Sequence, residues 1–264
     1  MTKKDEQWLL DEKYAGNERE DYKADVMRLA KGEPLAYVIG HQPFLGLKIY
    51  LDSHPLIPRP ETEWWAEQLL RGATESFSVV RLGLAAQSAT ENDSVAKPLK
   101  VLDLCAGSGA IGCAALARLR QARVYFGEID PTHEATILKN IHENNLDSAR
   151  AHIGIGDLFE PFDDLKFDII AINPPYIPSG RELPPSVINH EPALALFAGE
   201  DGLDLIRRIS KELTHHLAEG GTAWIECDSA HAVPACALFI KQGFKAQIRT
   251  DQYGAERIIV VSFP

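Results

Sequence analysis

The stretch VLDLCAGSGAIG, residues 101–112, decides the fold. Its first five residues have the composition of a short buried strand, and Gly107, Gly109 and Gly112 follow with the spacing G-x-G-x-x-G. Glycines at these positions let the backbone approach a ligand closely and leave the N–H groups of a helix start accessible. The stretch therefore predicts a strand, a ligand-binding turn and a helix, which together are one unit of an open α/β sheet.

Strand and helix patterns alternate from this stretch to the end of the chain. We expect strands at 101–105, 124–129, 151–155, 167–172, 222–227 and 258–261, and helices at 110–119, 131–143, 203–217 and 232–241. This alternation indicates right-handed βαβ units on a mostly parallel sheet. Because ligands of such sheets bind beyond the carboxyl ends of the strands, the residues directly after each strand are the candidate site.

The chain before this sheet divides into shorter pieces. Residues 1–36 are predicted to be a short helical N-terminal segment, and residues 37–58 alternate apolar side chains with glycine and proline, as a β-hairpin does. Residues 59–264 are predicted to form the main α/β domain, whose first helix should end near Leu70. Residues 72–98 are rich in Ala, Ser, Thr and Gly, so we expect a loop insertion there.

Composition and charge exclude several classes of protein. Of the 264 residues, 45% are hydrophobic and 25% are charged, which is ordinary for a globular protein and unlike a disordered one. No apolar run approaches the roughly 20 residues of a membrane-spanning helix, so no membrane partner is expected. The net charge of −11 argues against stable binding of nucleic acid through its phosphates. Without an apolar signal sequence or a C-x-x-C spacing, the chain is expected to be reduced and cytoplasmic, with no metal site.

Two acidic residues near the glycine turn narrow the choice of ligand. Glu128 ends the next predicted strand, where a carboxylate can accept both hydroxyls of a ribose. The pattern alone permits a dinucleotide or S-adenosyl-L-methionine. Asp103 precedes the turn and favours S-adenosylmethionine, because a carboxylate there would lie beside the amino-acid ammonium group or the loop and not beside a pyrophosphate.

A second signal follows the strand predicted at 167–172, in the tetrapeptide Asn173, Pro174, Pro175 and Tyr176. Each proline has a fixed φ and drives the residue before it to extended geometry, so the tetrapeptide is rigid at the strand tip. Because prolines have no N–H, the tetrapeptide offers acceptors, namely the Asn173 side-chain oxygen and the Pro174 carbonyl. Two acceptors at one point suit a planar –NH2 group, which has two donors. Tyr176 adds a flat face or a phenolic hydroxyl.

The combination of D-x-x-x-G-x-G with this tetrapeptide resembles S-adenosylmethionine-dependent methyltransferases that modify planar amino groups. They include adenine-N6 methyltransferases of DNA and RNA and glutamine-N5 methyltransferases of proteins. Three further segments resemble the second group, the PrmC/HemK type that methylates peptide chain release factors: GEPLAY at 32–37, LIPRPETE at 56–63, and HEPALAL at 190–196 followed by AGEDGL. The resemblance covers the chain from about Leu29 to its end. It implies a Rossmann-like fold with a seven-stranded, mostly parallel sheet whose last strand is antiparallel.

The same resemblance implies roles for individual residues. The turn that would lie against the methionine part of the cofactor comprises Asp103, Cys105, Ala106, Gly107, Ser108 and Gly109. Glu128 would hold the ribose, and Asp157 and Leu158 would lie beside the adenine. The tetrapeptide that begins at Asn173 would hold a glutamine amide, and Asn173 itself would also contact the cofactor. Cys105 and Ala106 stand where the family usually has Gly or Thr, so a slightly bulkier turn is expected.

These observations predict an enzyme that transfers a methyl group from S-adenosylmethionine to N5 of the glutamine in the Gly-Gly-Gln loop of a peptide chain release factor. Adenine-N6 methylation of DNA or RNA is the alternative, because adenine also presents a planar amino group. A binding module without activity is less favoured, because Asn173, Glu128 and the glycines are all present. A nicotinamide oxidoreductase would leave the tetrapeptide without a role. His190 and Glu191 are candidate proton acceptors, although a structural role is expected for His190. The family normally has several helices before the hairpin, which help to dock the release factor. Because only about 30 residues precede the matching segment here, docking of the release factor should rely more on residues 37–57.

Overall fold

The structure is a computed structural model that describes the backbone of residues 2–87 and 97–264 and the side chains of residues 2–75 and 97–264. A two-stranded hairpin consists of β1 (His41–Phe44) and β2 (Leu47–Tyr50). The strands of the main sheet are β3 (Lys100–Leu104), β4 (Arg123–Glu128), β5 (Ala151–Ile155), β6 (Phe167–Ile172), β7 (Leu217–Glu226), β8 (Lys245–Thr250) and β9 (Glu256–Ser262). The helices are α1 (Lys3–Tyr14), α2 (Tyr22–Ala30), α3 (Leu35–Ile39), α4 (Pro60–Gln87), α5 (Ala110–Arg118), α6 (Glu134–Glu143), α7 (Pro185–Ile188), α8 (Asp204–His216) and α9 (Ala232–Lys241).

The seven strands of the main sheet follow the order β5-β4-β3-β6-β7-β9-β8. All neighbouring pairs from β5 to β7 are parallel, and β9 is antiparallel to both β7 and β8. This arrangement confirms the predicted Rossmann-like sheet with an antiparallel last strand. The chain builds β4 and β5 on one side of β3 and then returns for β6 on the other side, which opens a crevice beyond the ends of β3 and β6.

Side chains of the central strands alternate between two hydrophobic cores. Val101 and Phe126 face the core that also contains buried side chains of α4 and α5. Leu102 and Ile170 face the opposite core, which contains buried side chains of α8 and α9, among them Phe239. Because the strand period is two, a continuous apolar strand supplies both cores, and the sheet is covered on both faces.

The N-terminal helices form a small cluster of their own. α1, α2 and α3 bury Leu9, Tyr14, Tyr22, Leu29 and Val38 against one another. The buried Asp25 carboxylate accepts a hydrogen bond of 2.7 Å from the Tyr14 hydroxyl and pairs with Lys13 and Arg28 at 2.6 and 2.9 Å. A buried carboxylate needs such partners, and here they join α1 to α2.

The hairpin is attached to the main sheet through α6. Asn140, which is fully buried, accepts a bond from the Tyr50 backbone N–H at 2.7 Å and donates to the Tyr50 carbonyl at 3.1 Å. The same Asn140 amide also donates to the Ser108 carbonyl at 2.8 Å. A single side chain therefore fixes the hairpin, α6 and the glycine turn relative to one another.

Two expectations about the segments before the sheet require correction. Part of the segment 37–58 is helical, because α3 extends to Ile39 and ends at Gly40, whose φ of 97° suits a helix end. Residues 72–87 are also helical, because α4 continues well past Leu70, and this corrects the predicted loop insertion over that part of 72–98. No proline occurs between residues 72 and 87, so nothing in this stretch forces the helix to end. Residues 88–96 lie outside the described residues.

Strand β8 was not predicted from the sequence. It lies at the edge of the sheet. Its two apolar residues, Ala246 and Ile248, turn toward the core and are partly buried. An edge strand with polar residues at the other positions gives a weak alternating pattern. In the described part of the chain, no helix combines the length and apolar character that a membrane span requires.

The third glycine of the turn permits close packing of α5 on β4. A Cβ atom built on Gly112 would lie 2.2 Å from Cε1 of Phe126, which is fully buried. The ring cannot move away without displacing the core around it, because protein interiors are close-packed. Gly112 is therefore needed for helix–sheet contact, independently of any ligand.

We predict that Gly112→Ala lowers the free energy of unfolding by about 1–3 kcal/mol, the usual cost of overpacking, although alanine by itself favours a helix. Urea denaturation followed by circular dichroism measures this change. Gly180→Ala is the matched control, because a Cβ at this exposed glycine meets nothing within 4 Å. Equal stability of the two variants would contradict this account of the packing.

Candidate active site

A cavity of about 250 Å³ lies at the carboxyl ends of β3, β4, β5 and β6, where the crevice opens. The residues predicted for the site that line it are Cys105, Gly107, Glu128, Asp157, Leu158, Asn173 and Pro175. These residues come from four different strand ends and are brought together by the parallel sheet. The structure thus joins the glycine turn, the acid after β4 and the proline-rich tetrapeptide in one cavity.

The other predicted residues flank this lining in sequence: Asp103, Ala106, Ser108, Gly109, Pro174 and Tyr176. Asp103 is buried and accepts a 2.7 Å bond from the Gly112 backbone N–H, so it supports the turn from behind. The Tyr176 hydroxyl donates to Glu226 at 2.9 Å. The Asp103 carboxylate was predicted to lie beside either a ligand ammonium group or the loop, and its bond to Gly112 favours the loop.

Three positive φ angles shape the glycine turn. Gly107 and Gly109 have φ of 55° and 75°, which glycine adopts without steric cost. Cys105 has a φ of 62°, a conformation that side chains other than glycine seldom adopt. A 2.7 Å bond from the Gly109 N–H to the Ala106 carbonyl closes the turn. The backbone of the turn therefore faces the cavity without bulky side chains.

Glu128 links the turn to the end of β4. It is 7% exposed, and its two oxygens accept bonds from the backbone N–H groups of Gly107 at 2.7 Å and Asp130 at 2.9 Å. A carboxylate has about four acceptor positions, so both oxygens keep the capacity to accept further bonds from the cavity. A ribose with two adjacent hydroxyls fits this arrangement.

The far end of the cavity has one carboxylate beside an apolar wall. Asp157 forms a 2.7 Å ion pair with Arg208 of α8, which also lines the cavity. Leu158 is buried and has a φ of 50°, which turns the chain at this point. A polar acceptor next to an aliphatic side chain suits the edge and face of a flat heterocycle such as adenine.

The loop at 190–197 covers another side of the cavity, which Pro192, Leu194 and Phe197 line. Glu191 holds this loop in place. Its buried carboxylate accepts from Nη2 of Arg59 at 2.6 Å and from the Ile57 N–H at 3.2 Å. Glu191 does not itself line the cavity, so its role is structural, and the geometry argues against its acting as a proton acceptor.

A buried hydrogen-bond network stands behind Asn173. Nδ2 of Asn173 donates to Thr62 Oγ1 at 3.3 Å, and Thr62 Oγ1 donates to Glu226 Oε2 at 2.7 Å. The indole N–H of Trp65 donates to the same Glu226 oxygen at 2.7 Å. Glu226 is fully buried, and burial raises its pKa while the three donors, including Tyr176, act in the opposite direction. Burial and the nearby Glu226 likewise hold the pKa of Tyr176 well above its ordinary value.

Sequence reasoning missed Thr62, Trp65 and Glu226. Glu226 stands near the end of the strand predicted at 222–227, so the rule that directed attention to strand ends applies to it as well. Thr62 and Trp65 lie in the first turns of α4, and their role depends on how α4 packs against β7. No local sequence pattern contains that information.

The chain is similar in sequence to known proteins over most of its length. The family described as "Conserved hypothetical protein 95" matches residues 85–199. The chain is similar to a release factor glutamine methyltransferase of Geobacter sulfurreducens, with 34% identity over 237 residues, 89% of this chain and 75% of that protein. The release factor glutamine methyltransferase of Agrobacterium fabrum is 35% identical over 233 residues, 88% of this chain and 74% of that protein.

Solved structures share the fold. The hMettl16 catalytic domain in complex with the MAT2A 3'UTR hairpin 6 aligns with a TM-score of 0.54 and 20% identity over 83% of this chain and 76% of that chain. The T. thermophilus 16S rRNA N2 G1207 methyltransferase in complex with AdoMet and guanosine aligns with a TM-score of 0.50 and 18% identity over 85% of this chain and 50% of that chain. At these identities, the alignments support the methyltransferase fold and nothing finer.

The burial of Asp103 predicts a dependence of stability on pH. Burial, together with the charge of Glu128, raises the pKa of Asp103 from 3.8 to about 8, although the bond from the Gly112 N–H acts in the opposite direction. Between these two values the folded state binds a proton that the unfolded state has lost, so the free energy of unfolding falls as the pH rises. The slope is at most about 1.4 kcal/mol per pH unit.

We therefore predict that Asp103→Asn, which keeps an acceptor for Gly112, gains stability relative to the unmodified chain as the pH rises from 5 to 8. Urea midpoints at several pH values measure the difference. Asp164→Asn, at an exposed position, should follow the unmodified chain at every pH. Parallel curves for Asp103→Asn and the unmodified chain would show that this carboxyl is ionised in the folded state.

Proposed function

This chain belongs to the release factor glutamine methyltransferase family, and we propose that its cavity transfers a methyl group from S-adenosylmethionine to N5 of a glutamine in a peptide chain release factor. One observation carries the proposal: Glu128 and the glycine turn open into the same cavity as Asn173. A cofactor held by the first two would present its reactive end to a side chain held by the third.

The chain's own residues fit the cofactor. The turn from Cys105 to Gly109 offers backbone and small side chains to the methionine part, Glu128 has free acceptor positions for the ribose, and Asp157 with Leu158 suits the adenine. When bound, S-adenosylmethionine supplies a sulfonium methyl group that is already activated. The protein must therefore bind, orient and shield the reactants.

The substrate nitrogen is the difficult partner in this reaction. An amide nitrogen is a poor nucleophile, because its lone pair is delocalised into the carbonyl. We propose that Oδ1 of Asn173 and the carbonyl of Pro174 accept the two hydrogens of the glutamine –NH2 group. These bonds would aim the lone pair at the methyl group and stabilise the more positive nitrogen of the transition state. The rigid tetrapeptide suits this task, because prolines limit its motion.

The mouth of the cavity favours a peptide over a nucleic acid. Ile129 and Leu194 are large apolar side chains that line the cavity, and 47% and 56% of their surfaces remain exposed. Exposed apolar side chains at a concave site are typical of a surface that a partner covers. With a net charge of −11, the chain would repel a polyanion, whereas a glycine-rich loop with a neutral glutamine meets no such repulsion.

For the cofactor, we predict that Glu128→Ala weakens S-adenosylmethionine binding about tenfold to a hundredfold, the usual loss when hydrogen bonds to a charged group are removed. Calorimetric titration measures the affinity. Glu134→Ala, which removes an exposed carboxylate from the start of α6, is the control and should bind normally. Equal affinities of the two variants would remove Glu128 from the cofactor site.

For the reaction, we expect the protein to methylate the glutamine of a release factor when it is offered that factor together with adenine-containing DNA and RNA. Mass spectrometry of all products locates the methyl group. A factor whose Gly-Gly-Gln glutamine is replaced by alanine should remain unmodified. Methylation of adenine N6 and none of the glutamine would overturn the proposal in favour of the nucleic-acid alternative.

Asn173→Ala should lower turnover about 10²–10³-fold, as loss of one preorganised hydrogen bond does elsewhere, with nearly unchanged cofactor affinity.

A further inference from the structure

The side-chain amide of Asn173 has two orientations of nearly equal shape. In one orientation Oδ1 faces the cavity. After a rotation of about 180° around the Cβ–Cγ bond, Nδ2 faces the cavity instead. Only the first can accept a hydrogen bond from a substrate –NH2 group, because the second presents donors to donors. An enzyme that uses this amide must therefore fix its orientation before the substrate arrives.

Thr62 fixes this orientation by the direction of its own hydrogen bond. A threonine hydroxyl has a single hydrogen, and in this structure Thr62 donates it to Oε2 of Glu226 at 2.7 Å. The Thr62 oxygen then has only acceptor capacity left on the side of Asn173, where Nδ2 lies at 3.3 Å. Oδ1 of Asn173 is thereby excluded from the Thr62 side and left for the cavity.

Trp65 explains the direction of the hydrogen bond from Thr62 to Glu226. An indole N–H can only donate, and that of Trp65 lies 2.7 Å from the same Oε2 atom. A proton on Oε2 would therefore face the indole hydrogen, so this oxygen must act as an acceptor for both neighbours. Trp65 and Glu226 are fully buried and Thr62 is 3% exposed, so water does not compete for these bonds.

We propose that Thr62 is a positioning residue, which Glu226 and Trp65 orient so that the Asn173 amide keeps its oxygen toward the substrate nitrogen. The inference rests on the proposed function, because it assumes that Asn173 accepts a hydrogen bond from a substrate amide. Beyond that function, Thr62, Trp65 and Glu226 lie behind the cavity and together orient the Asn173 amide. If these residues did not orient Asn173, their hydrogen bonds would only join α4 to the end of β7.

The test compares Thr62→Val with Thr62→Ser in the full chain. Valine has nearly the shape of threonine but no hydroxyl, so Nδ2 of Asn173 loses its partner and the amide loses its preferred orientation. We expect Thr62→Val to lower the kcat of methyl transfer to the release factor about tenfold, in line with a lost hydrogen bond. S-Adenosylmethionine affinity by calorimetry should stay within about twofold, because Thr62 does not touch that site. Thr62→Ser keeps the hydroxyl and should retain most of the turnover of the unmodified chain.

A second comparison separates positioning from mere support of the fold. In the background Asn173→Ala, Thr62→Val should add no further loss to the residual single-turnover rate, since the amide that it orients is gone. The inference is overturned if Thr62→Val turns over as fast as Thr62→Ser, or if the losses from Thr62→Val and Asn173→Ala multiply. It is also overturned if Thr62→Val weakens cofactor binding as much as it slows turnover. If the unmodified chain methylates no release factor, the proposed function fails first, and this outcome is distinct from the others.

Discussion

The in-register parallel pairing of β3 with β4 and β6 is the constraint on which the site depends. Leu104 at the end of β3 pairs with Gly127 on one side and with Ile172 on the other. The residues that follow these three positions are the glycine turn, Glu128 and Asn173. A shift of one residue in either pairing would turn every strand side chain to the opposite core, so the two cores fix the register. The chemistry at the sheet edge is thus located by hydrophobic packing well away from it.

The site also keeps polar groups where burial disfavours them. Asp103 and Glu226 are buried carboxyls behind the two halves of the cavity, one under the glycine turn and one under the tetrapeptide. Each is held by donors that cannot easily leave: the backbone N–H of Gly112 and the indole N–H of Trp65. A buried polar group with its partners in place is rigid, and removing one partner is costly. These carboxyls therefore make the turn and the tetrapeptide stiff at the expense of stability.

The sequence predicted most of the sheet, because continuous apolar strands and amphipathic helices are local patterns. It also predicted that the glycine turn, Glu128 and Asn173 lie close together, because each directly follows a strand, and the structure brings all three to one cavity. It failed for β8, whose edge position weakens its alternation, and for residues 72–87, where a composition rich in small residues suggests a loop although no proline ends the helix there. Thr62 and Trp65 could not be found, because their contact with Glu226 spans more than 160 positions of the chain and depends on tertiary packing.

We propose that one cavity holds the methyl donor against the glycine turn and the substrate amide against Asn173. A crystal structure with S-adenosylhomocysteine and a peptide containing Gly-Gly-Gln tests it most directly. We expect the ribose hydroxyls within hydrogen-bond distance of Glu128, and the glutamine nitrogen within hydrogen-bond distance of both Oδ1 of Asn173 and the Pro174 carbonyl. A glutamine side chain that lies away from Asn173, or a cofactor bound outside the turn from Cys105 to Gly109, would contradict the account.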